Sequence, residues 1–232
     1  MNHVHTYQGS FSTFLKQFSL FVSLLIGFQA LGLTLFAFYS QADLFLMINR
    51  LHHNDADQFF MYLTHLGDWP VTALLAFFFL FVNYRYALVL VANMLYTGFF
   101  TQLIKIIVQH PRPAVYFQHL EPIYTIKDYA LQNSLSFPSG HTTCVFSLAI
   151  SLSYLFLAQR KQPWLFLMAL TVSISRVYLA QHFFKDLLAG SFIGTFFALH
   201  LLWLFERTQW FHAKQLDSNL LRRFKSNNSV KS

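Results

Sequence analysis

Cations, histidines and one carboxylate recur in three short strings between residues 105 and 186. The strings supply Lys105, Arg112, Ser139, Gly140, His141, Arg176, His182 and Asp186. Arginine binds phosphate oxygens through a two-pronged fork, and lysine binds them as a point charge. A histidine oriented by a carboxylate is a nucleophile, and a second histidine can supply a proton. These residue types together predict phosphoryl transfer.

The first string lies at the end of a predicted helix. The spacing of Lys105 and Arg112 would place both on one helix face if the helix continued that far. Pro111 is expected to stop the helix near His110, so Arg112 should project from the turn that follows. Both cations can then approach one anion. Taken alone, the string also fits a pair of snorkelling cations that anchor the helix to lipid headgroups.

The second string predicts a helix N-terminus beside the phosphate. Ser139 and Gly140 precede an apolar run that begins at Thr142, so the first free N–H groups of that helix should point at the site. Gly140 allows close approach of the backbone, and Ser139 can cap the helix or donate to an oxygen. His141 is placed to protonate a departing alkoxide. The alternative is an ordinary helix start followed by an interfacial histidine.

The third string contains a histidine and an aspartate four residues apart. On a helix, His182 and Asp186 would stack on one face. Asp186 would then accept the Nδ1 proton, fix the tautomer and leave Nε2 free to attack. Arg176 adds a third cation for the phosphate oxygens. A lone pair of this kind is often only a hydrogen-bonded pair, but its coincidence with Arg176 and the other strings favours catalysis.

The elements that carry these strings are predicted to be membrane-spanning helices. Of the 232 residues, 55% are hydrophobic and only 11% are charged, whereas a soluble domain carries about 25% charged residues. A spanning helix needs about 20 mostly apolar residues. The stretches without charged residues predict six spans, near 18–39, 69–84, 86–108, 141–159, 162–180 and 186–205.

The predicted fold class is therefore an all-α bundle of six transmembrane helices with both termini in the cytoplasm, because most Lys and Arg residues then lie on the cytoplasmic side. Residues 1–205 form the predicted membrane domain, and 206–232 form a basic cytoplasmic tail suited to anionic headgroups. A cleaved signal peptide is the alternative for the first span, but its apolar run is too long. Nucleic-acid binding is not expected, since no basic patch with readout residues lies outside the tail.

The three strings resemble the signature motifs of the type 2 phosphatidic acid phosphatase superfamily, which are KxxxxxxRP, PSGH and SRxxxxxHxxxD. Every defining position is matched in order, and the six-span layout resembles the membrane-bound branch. The resemblance implies that His182 forms a phosphohistidine, that Asp186 orients it and that His141 is the general acid. The residues implied to hold the phosphate are Lys105, Arg112, Ser139, Gly140 and Arg176.

No metal or cofactor is expected, because three cations can take the charge-balancing role that a metal has in many phosphoryl-transfer sites. Cys144 is the single cysteine, which excludes a thiolate cluster. Five further histidines have spacings that match no zinc site, and we interpret them as interfacial polar residues. They are His52, His53, His65, His110 and His119.

The resemblance implies hydrolysis of a lipid phosphate monoester or diphosphate in the bacterial inner membrane, with the site facing the periplasm. The substrate and the membrane lipids are the expected partners. Phosphatidic acid, phosphatidylglycerol phosphate, undecaprenyl diphosphate and the phosphates of lipid A are candidate substrates, which the sequence does not rank. The alternatives are a lipid phosphotransferase with the same intermediate and a non-catalytic transporter or binding protein. The hydrophobic spans argue against the soluble vanadium haloperoxidases of the same superfamily.

Overall fold

The computed structural model describes residues 6–127, 129–132, 134–156 and 159–223. These residues form helices, turns and one long loop between the seventh and eighth helices, and no strand occurs among them, which confirms the all-α class. The α-helices are α1 Phe11–Leu15, α2 Ser19–Phe38, α3 Gln41–Asn49, α4 Asn54–Leu63, α5 Trp69–Leu80, α6 Tyr84–Val108, α7 Pro113–Tyr116, α8 Gly140–Leu155, α9 Gln162–Tyr178 and α10 Phe184–Glu206.

Several of these helices are suited to a lipid bilayer. Three helical stretches are long and apolar enough to cross it, namely Phe11–Phe38, Tyr84–Tyr116 and Phe184–Glu206. A fourth candidate is the pair Asn54–Gly67 and Trp69–Leu80, which is bent by 54°. The chain is an integral membrane protein. Helices α8 and α9 have only 16 and 17 residues, so the count of six spans and the cytoplasmic termini stay predictions.

Helix α8 lies at the centre of the bundle, where it contacts α6, α9 and α10. Its sequence alternates bulky residues such as Phe146 and Ile150 with small ones such as Ser147 and Ala149, and all four are buried. Lipid tails are as apolar as leucine, so helices in a bilayer associate through close packing and interhelical hydrogen bonds. Close packing and an interhelical hydrogen bond both occur here. The amide of Asn93 on α6 donates to Ser151 Oγ on α8 at 2.8 Å.

Two glycines let α10 approach α8 closely, and this contact places the start of both helices at one site. A Cβ added at Gly190 would lie 2.7 Å from the carbonyl oxygen of Ser139. A Cβ added at Gly194 would lie still closer to the carbonyl oxygen of Thr143. Both distances are shorter than van der Waals contact, so the small-xxx-small pattern is required by the helix separation.

Gly194→Ala is expected to push α10 away from α8 and to destabilise the protein by about 1–3 kcal/mol, as overpacking does in other cores. Thermal unfolding in detergent measures the effect as a lower midpoint. Gly27→Ala is the matched control, because a Cβ at Gly27 on α2 meets no heavy atom within 4 Å and alanine favours the helix. Equal midpoints for the two variants would contradict the packing argument.

The first part of the predicted tail folds back onto the turn between α5 and α6. Arg85 forms an ion pair with Asp217 at 3.1 Å and lies over the ring of the buried Phe211. The backbone N–H of Tyr84 donates to the carbonyl of Ser218 at 2.9 Å. Residues 206–223 are thus attached to the helices through these contacts, and 224–232 of the predicted tail lie outside the described residues.

Candidate active site

The three predicted strings meet at one cavity of about 460 Å³. Five of the predicted site residues line it, and they are Lys105, Arg112, Gly140, His141 and His182. The rest of the lining includes residues of α5, α6 and α8, among them Trp69, Met94, Gly98, Thr101 and Cys144. The other predicted residues, Ser139, Arg176 and Asp186, are buried next to the lining.

A tight turn after α9 presents His182 to the cavity. The backbone N–H groups of Gln181 and His182 both donate to the carbonyl of Arg176, at 2.9 and 3.1 Å. Ala180 has φ 56°, a left-handed conformation that costs a residue with a Cβ about 1 kcal/mol or more. The surrounding hydrogen bonds hold this conformation and thereby fix the position of His182.

His182 and Asp186 form the predicted pair, but they do not share a helix face. Helix α10 begins at Phe184, so His182 precedes it and Asp186 lies in its first turn. The imidazole Nδ1–H nevertheless donates to Asp186 Oδ2 at 3.2 Å. The same oxygen accepts from the N–H of Phe183 at 2.9 Å and from Ser136 Oγ at 2.5 Å. The pair therefore forms across the start of α10 and not along one helix face, and the Asp186 carboxylate in the first helical turn also caps the backbone before it.

The other ring nitrogen of His182 faces a cation. Arg112 Nη1 lies 3.3 Å from His182 Nε2, which is the nitrogen that the pairing with Asp186 leaves with a lone pair. His182 is only 1% exposed, and this burial lowers the pKa of the imidazole well below its ordinary value. The ring is therefore neutral at pH 7 and has a nucleophilic nitrogen beside a guanidinium.

Arg112 projects from the turn that follows α6, as Pro111 predicts. Helix α6 ends at Val108, and Gln109 takes a left-handed cap with φ 49°. The guanidinium donates from Nη1 to the carbonyl of Gln181 at 2.8 Å and from Nη2 to Gln132 Oε1 at 2.9 Å. A guanidinium is not deprotonated in proteins, so the group keeps its charge at pH 7.

Lys105 lies in the last turn of α6, and its ammonium reaches the long loop. Nζ donates to the carbonyls of Leu135 and Ser136, at 2.8 and 3.1 Å. These two bonds hold the backbone at Ser136, whose hydroxyl donates to Asp186. An ammonium has three donors, so Lys105 can both fix the loop and turn one N–H to an anion in the cavity.

Ser139 and Gly140 begin α8, as the second string predicts. Ser139 Oγ accepts from the N–H of Thr142 at 3.3 Å, which makes it the N-cap, and Ser139 is fully buried. A Cβ at Gly140 would meet no heavy atom within 4 Å, so the backbone is open towards the cavity. The helix N-terminus can therefore bind a phosphate oxygen, while the Ser139 side chain serves the helix cap.

Arg176 lies behind the cavity. Its Nη1 donates to Thr64 Oγ1 at 2.6 Å and lies 3.4 Å from the hydroxyl of Tyr129. It is 2% exposed, and its Nε has no hydrogen-bond partner within the part of the chain that the structure describes. Arg176 thus adds positive charge near the site and ties α9 to the long loop.

Four residues that hold the site together were not among the site residues predicted from the sequence. Ser136 donates to Asp186, Gln181 accepts from Arg112 through its backbone carbonyl and its side chain, Gln132 accepts from Arg112, and Asp68 pairs with His141 at 2.6 Å. Each of these pairs joins parts of the chain that are at least 20 residues apart. Only Asp68 had a local signal in the sequence, because it follows Gly67 and directly precedes Trp69 and Pro70, where α5 begins.

Three sequence matches relate this chain to known proteins. The profile of the PAP2 superfamily matches residues 86–210. The lipid A 4'-phosphatase of Porphyromonas gingivalis is 26% identical over 186 residues, which are 75% of this chain and 77% of that protein. The bacitracin transport permease protein BcrC of Bacillus licheniformis is 32% identical over 97 residues, 41% of this chain and 45% of its own length.

Two crystal structures share the fold. Aquifex aeolicus LpxE superposes with a TM-score of 0.60 and 28% identity, over 69% of this chain and 93% of that one. A PAP2-type phosphatidylglycerolphosphate phosphatase of Bacillus subtilis gives a TM-score of 0.51 and 22% identity, over 79% and 94% of the two chains, and this likeness concerns the fold alone. Because the superfamily profile matches more than half of the chain and contains every motif position, the protein belongs to the PAP2 superfamily.

Proposed function

We propose that the protein is a lipid phosphatase that acts through a phosphohistidine on His182. The observation that carries the proposal is the environment of this one side chain. Its Nδ1 is bound to Asp186 at 3.2 Å, and its Nε2 faces Arg112 in a cavity that also contains Lys105 and His141. A neutral, oriented imidazole next to two cations is suited to attack a phosphorus that carries negative charge.

The first chemical step transfers the phosphoryl group to the enzyme. His182 Nε2 forms a bond to phosphorus while the bond from phosphorus to the lipid oxygen breaks. Asp186 accepts the Nδ1–H bond and stabilises the positive charge that the ring gains. His141 gives a proton to the departing oxygen, which leaves as the alcohol, or as a phosphate if the substrate is a diphosphate.

The second step returns the enzyme to its starting state. A water molecule attacks phosphorus, the bond to Nε2 breaks, and the water proton goes to His141. Lys105, Arg112 and the N-terminus of α8 face the phosphate oxygens in both steps, and Arg176 adds charge from behind. Their positive charge supports a mechanism without a metal, since it offsets the charge of the transferring group.

The lining of the cavity supports a lipid as the substrate. Below the polar residues, the wall is formed by α5, α6 and α8, with Trp69, Met94 and Gly98 among the lining residues. A substrate whose chains lie in the bilayer can reach such a wall laterally. The similarity to the lipid A 4'-phosphatase of Porphyromonas gingivalis makes lipid A phosphate the first substrate to test. We place the site at the periplasmic face of a bacterial inner membrane, following the distribution of Lys and Arg.

The proposal is tested with the full chain purified in detergent and supplied with lipid A, phosphatidylglycerol phosphate, phosphatidic acid and undecaprenyl diphosphate. We expect release of inorganic phosphate from at least one lipid, at the same rate with and without EDTA. Release that stops on chelation would overturn the metal-free mechanism. Release that depends on an added alcohol would identify a phosphotransferase, and no release from any lipid would favour a binding or transport protein.

A further inference from the structure

Asp68 joins two histidines at the edge of the cavity. Its Oδ1 lies 2.6 Å from His141 Nε2, and its Oδ2 lies 2.8 Å from His65 Nδ1. None of the three signature strings contains Asp68 or His65. The Asp68 carboxylate therefore connects His141 of the second string to His65, which lies in a segment outside the three motifs.

The segment before α5 is shaped for this contact. The 3₁₀ helix Thr64–Gly67 leads into Asp68, and it lies against α8 and α9. A Cβ added at Gly67 would lie 3.1 Å from both His141 Cβ and Val172 Cγ1. This is tighter than an ordinary contact, so a glycine at this position lets the backbone approach His141 closely enough for the next residue to bind its ring.

The two histidine–aspartate pairs of the site differ in their access to water. The side chains of His182 and Asp186 are 1% and 0% exposed, whereas those of His141 and Asp68 are 20% and 32% exposed. The buried pair suits a nucleophile from which water must be excluded. The partly exposed pair suits a group that gives a proton and takes one back in each turnover.

The carboxylate of Asp68 is ionised in this arrangement. The hydrogen bond from His141 lowers the pKa of Asp68 to about 2. The other charged or titratable groups near the pair are Arg112, Arg176, His65 and Cys144. An adjacent carboxylate favours the charged imidazole, and the two arginines oppose it. The charge of Asp68 thus opposes that of the two arginines at the His141 ring.

We infer that Asp68 is a positioning residue for the general acid His141, and that His65 fixes the second oxygen of Asp68. The inference rests on the proposed function of His141. Because Nε2 is bound to Asp68, the proton for the leaving oxygen departs from Nδ1. Asp68 thereby sets both the orientation of the His141 ring and the nitrogen that gives the proton. Asp186 likewise sets the orientation of the His182 ring and the nitrogen that attacks.

The test compares two leaving groups in the full chain. Asp68→Asn is expected to lower kcat/KM for the lipid phosphate by about 10–100-fold, since general acid catalysis contributes about 10²–10⁴-fold. For p-nitrophenyl phosphate, whose leaving group needs no proton, we expect a loss of less than about threefold. The alkaline branch of the pH profile, which reports loss of the His141 proton, should also move to lower pH. An equal loss on both substrates, or no loss, would overturn the inference.

Two further variants separate positioning from folding. In a His141→Ala background, Asp68→Asn should cause no additional loss of kcat/KM, because residues that act as a unit are not additive. An additional loss as large as in the wild type would overturn the inference. Asp68→Glu retains the carboxylate and should recover part of the activity on the lipid.

Asp55→Asn is the matched control, since the Asp55 side chain is 96% exposed in the preceding helix, and we expect unchanged kinetics.

Failure of the inference is distinguishable from failure of the proposed function. If the wild-type protein releases phosphate and only the comparison of leaving groups fails, Asp68 is structural. If the wild-type protein releases none, the function itself is wrong.

Discussion

His182→Ala is expected to lower the rate of phosphate release by at least about 10⁴-fold, as removal of a catalytic nucleophile does in other enzymes. His182 Nε2 is the atom that faces Arg112 in the cavity, with its other nitrogen bound to Asp186. The measurement is steady-state phosphate release in detergent, together with trapping of the phosphorylated protein by rapid quenching.

The trapped phosphate distinguishes a nucleophile from a merely structural histidine. A phosphohistidine is expected in the wild type, labile in acid and stable in base, and absent from His182→Ala. The matched control is His119→Ala, because His119 is exposed in the long loop and lies outside the site cavity. Phosphorylation of the His182→Ala protein would assign the nucleophile to another residue.

Arg112→Lys is expected to lower kcat/KM by about 10²–10³-fold, even though the charge is kept. The guanidinium binds Gln181, Gln132 and the carbonyl of Ser134 while one nitrogen faces His182. A lysine has no planar fork and cannot make these bonds together. Each lost hydrogen bond to a charged group costs about 1.5–3 kcal/mol, so two such bonds account for the expected loss.

Arg50→Lys is the matched control for this substitution. Arg50 pairs with Glu121 at 3.0 Å, and the two side chains are 68% and 40% exposed. Exposed ion pairs contribute about 0–1 kcal/mol, so kcat/KM and the unfolding midpoint should stay within experimental error. Wild-type kinetics for Arg112→Lys would show that charge alone, without the fork, is sufficient at this position.

The features of the site that depend on neighbouring residues could be predicted from the sequence. Pro111 limits α6, so Arg112 was correctly expected in the turn after the helix. Ser139 was correctly expected as a helix cap, because the apolar run of α8 begins a few residues later. The pairing of His182 with Asp186 was predicted from their spacing, but the stacking on one helix face that would bring them together does not occur, because the chain turns at Ala180.

The partners that come from distant parts of the chain could not be predicted. Ser136 and Asp186 are 50 residues apart, and Asp68 and His141 are separated by α5, α6, α7 and the long loop. No local pattern encodes these contacts, because they depend on how the helices pack. His65 illustrates the difficulty, since its spacing to other histidines suggested only an interfacial polar residue, whereas it binds Asp68 at 2.8 Å.

The sequence by itself determined the superfamily, the all-α class and the membrane environment, since these follow from motif spacing and from long apolar stretches that only lipid can solvate. It also determined which cations and histidines meet. The tertiary structure decided which of them line the cavity and which lie behind it, as Arg176 does. It also decided what orients each histidine. The physical reason is that a hydrogen bond requires two groups within about 3 Å, and only the packed helices bring Asp68 and Ser136 that close to their partners.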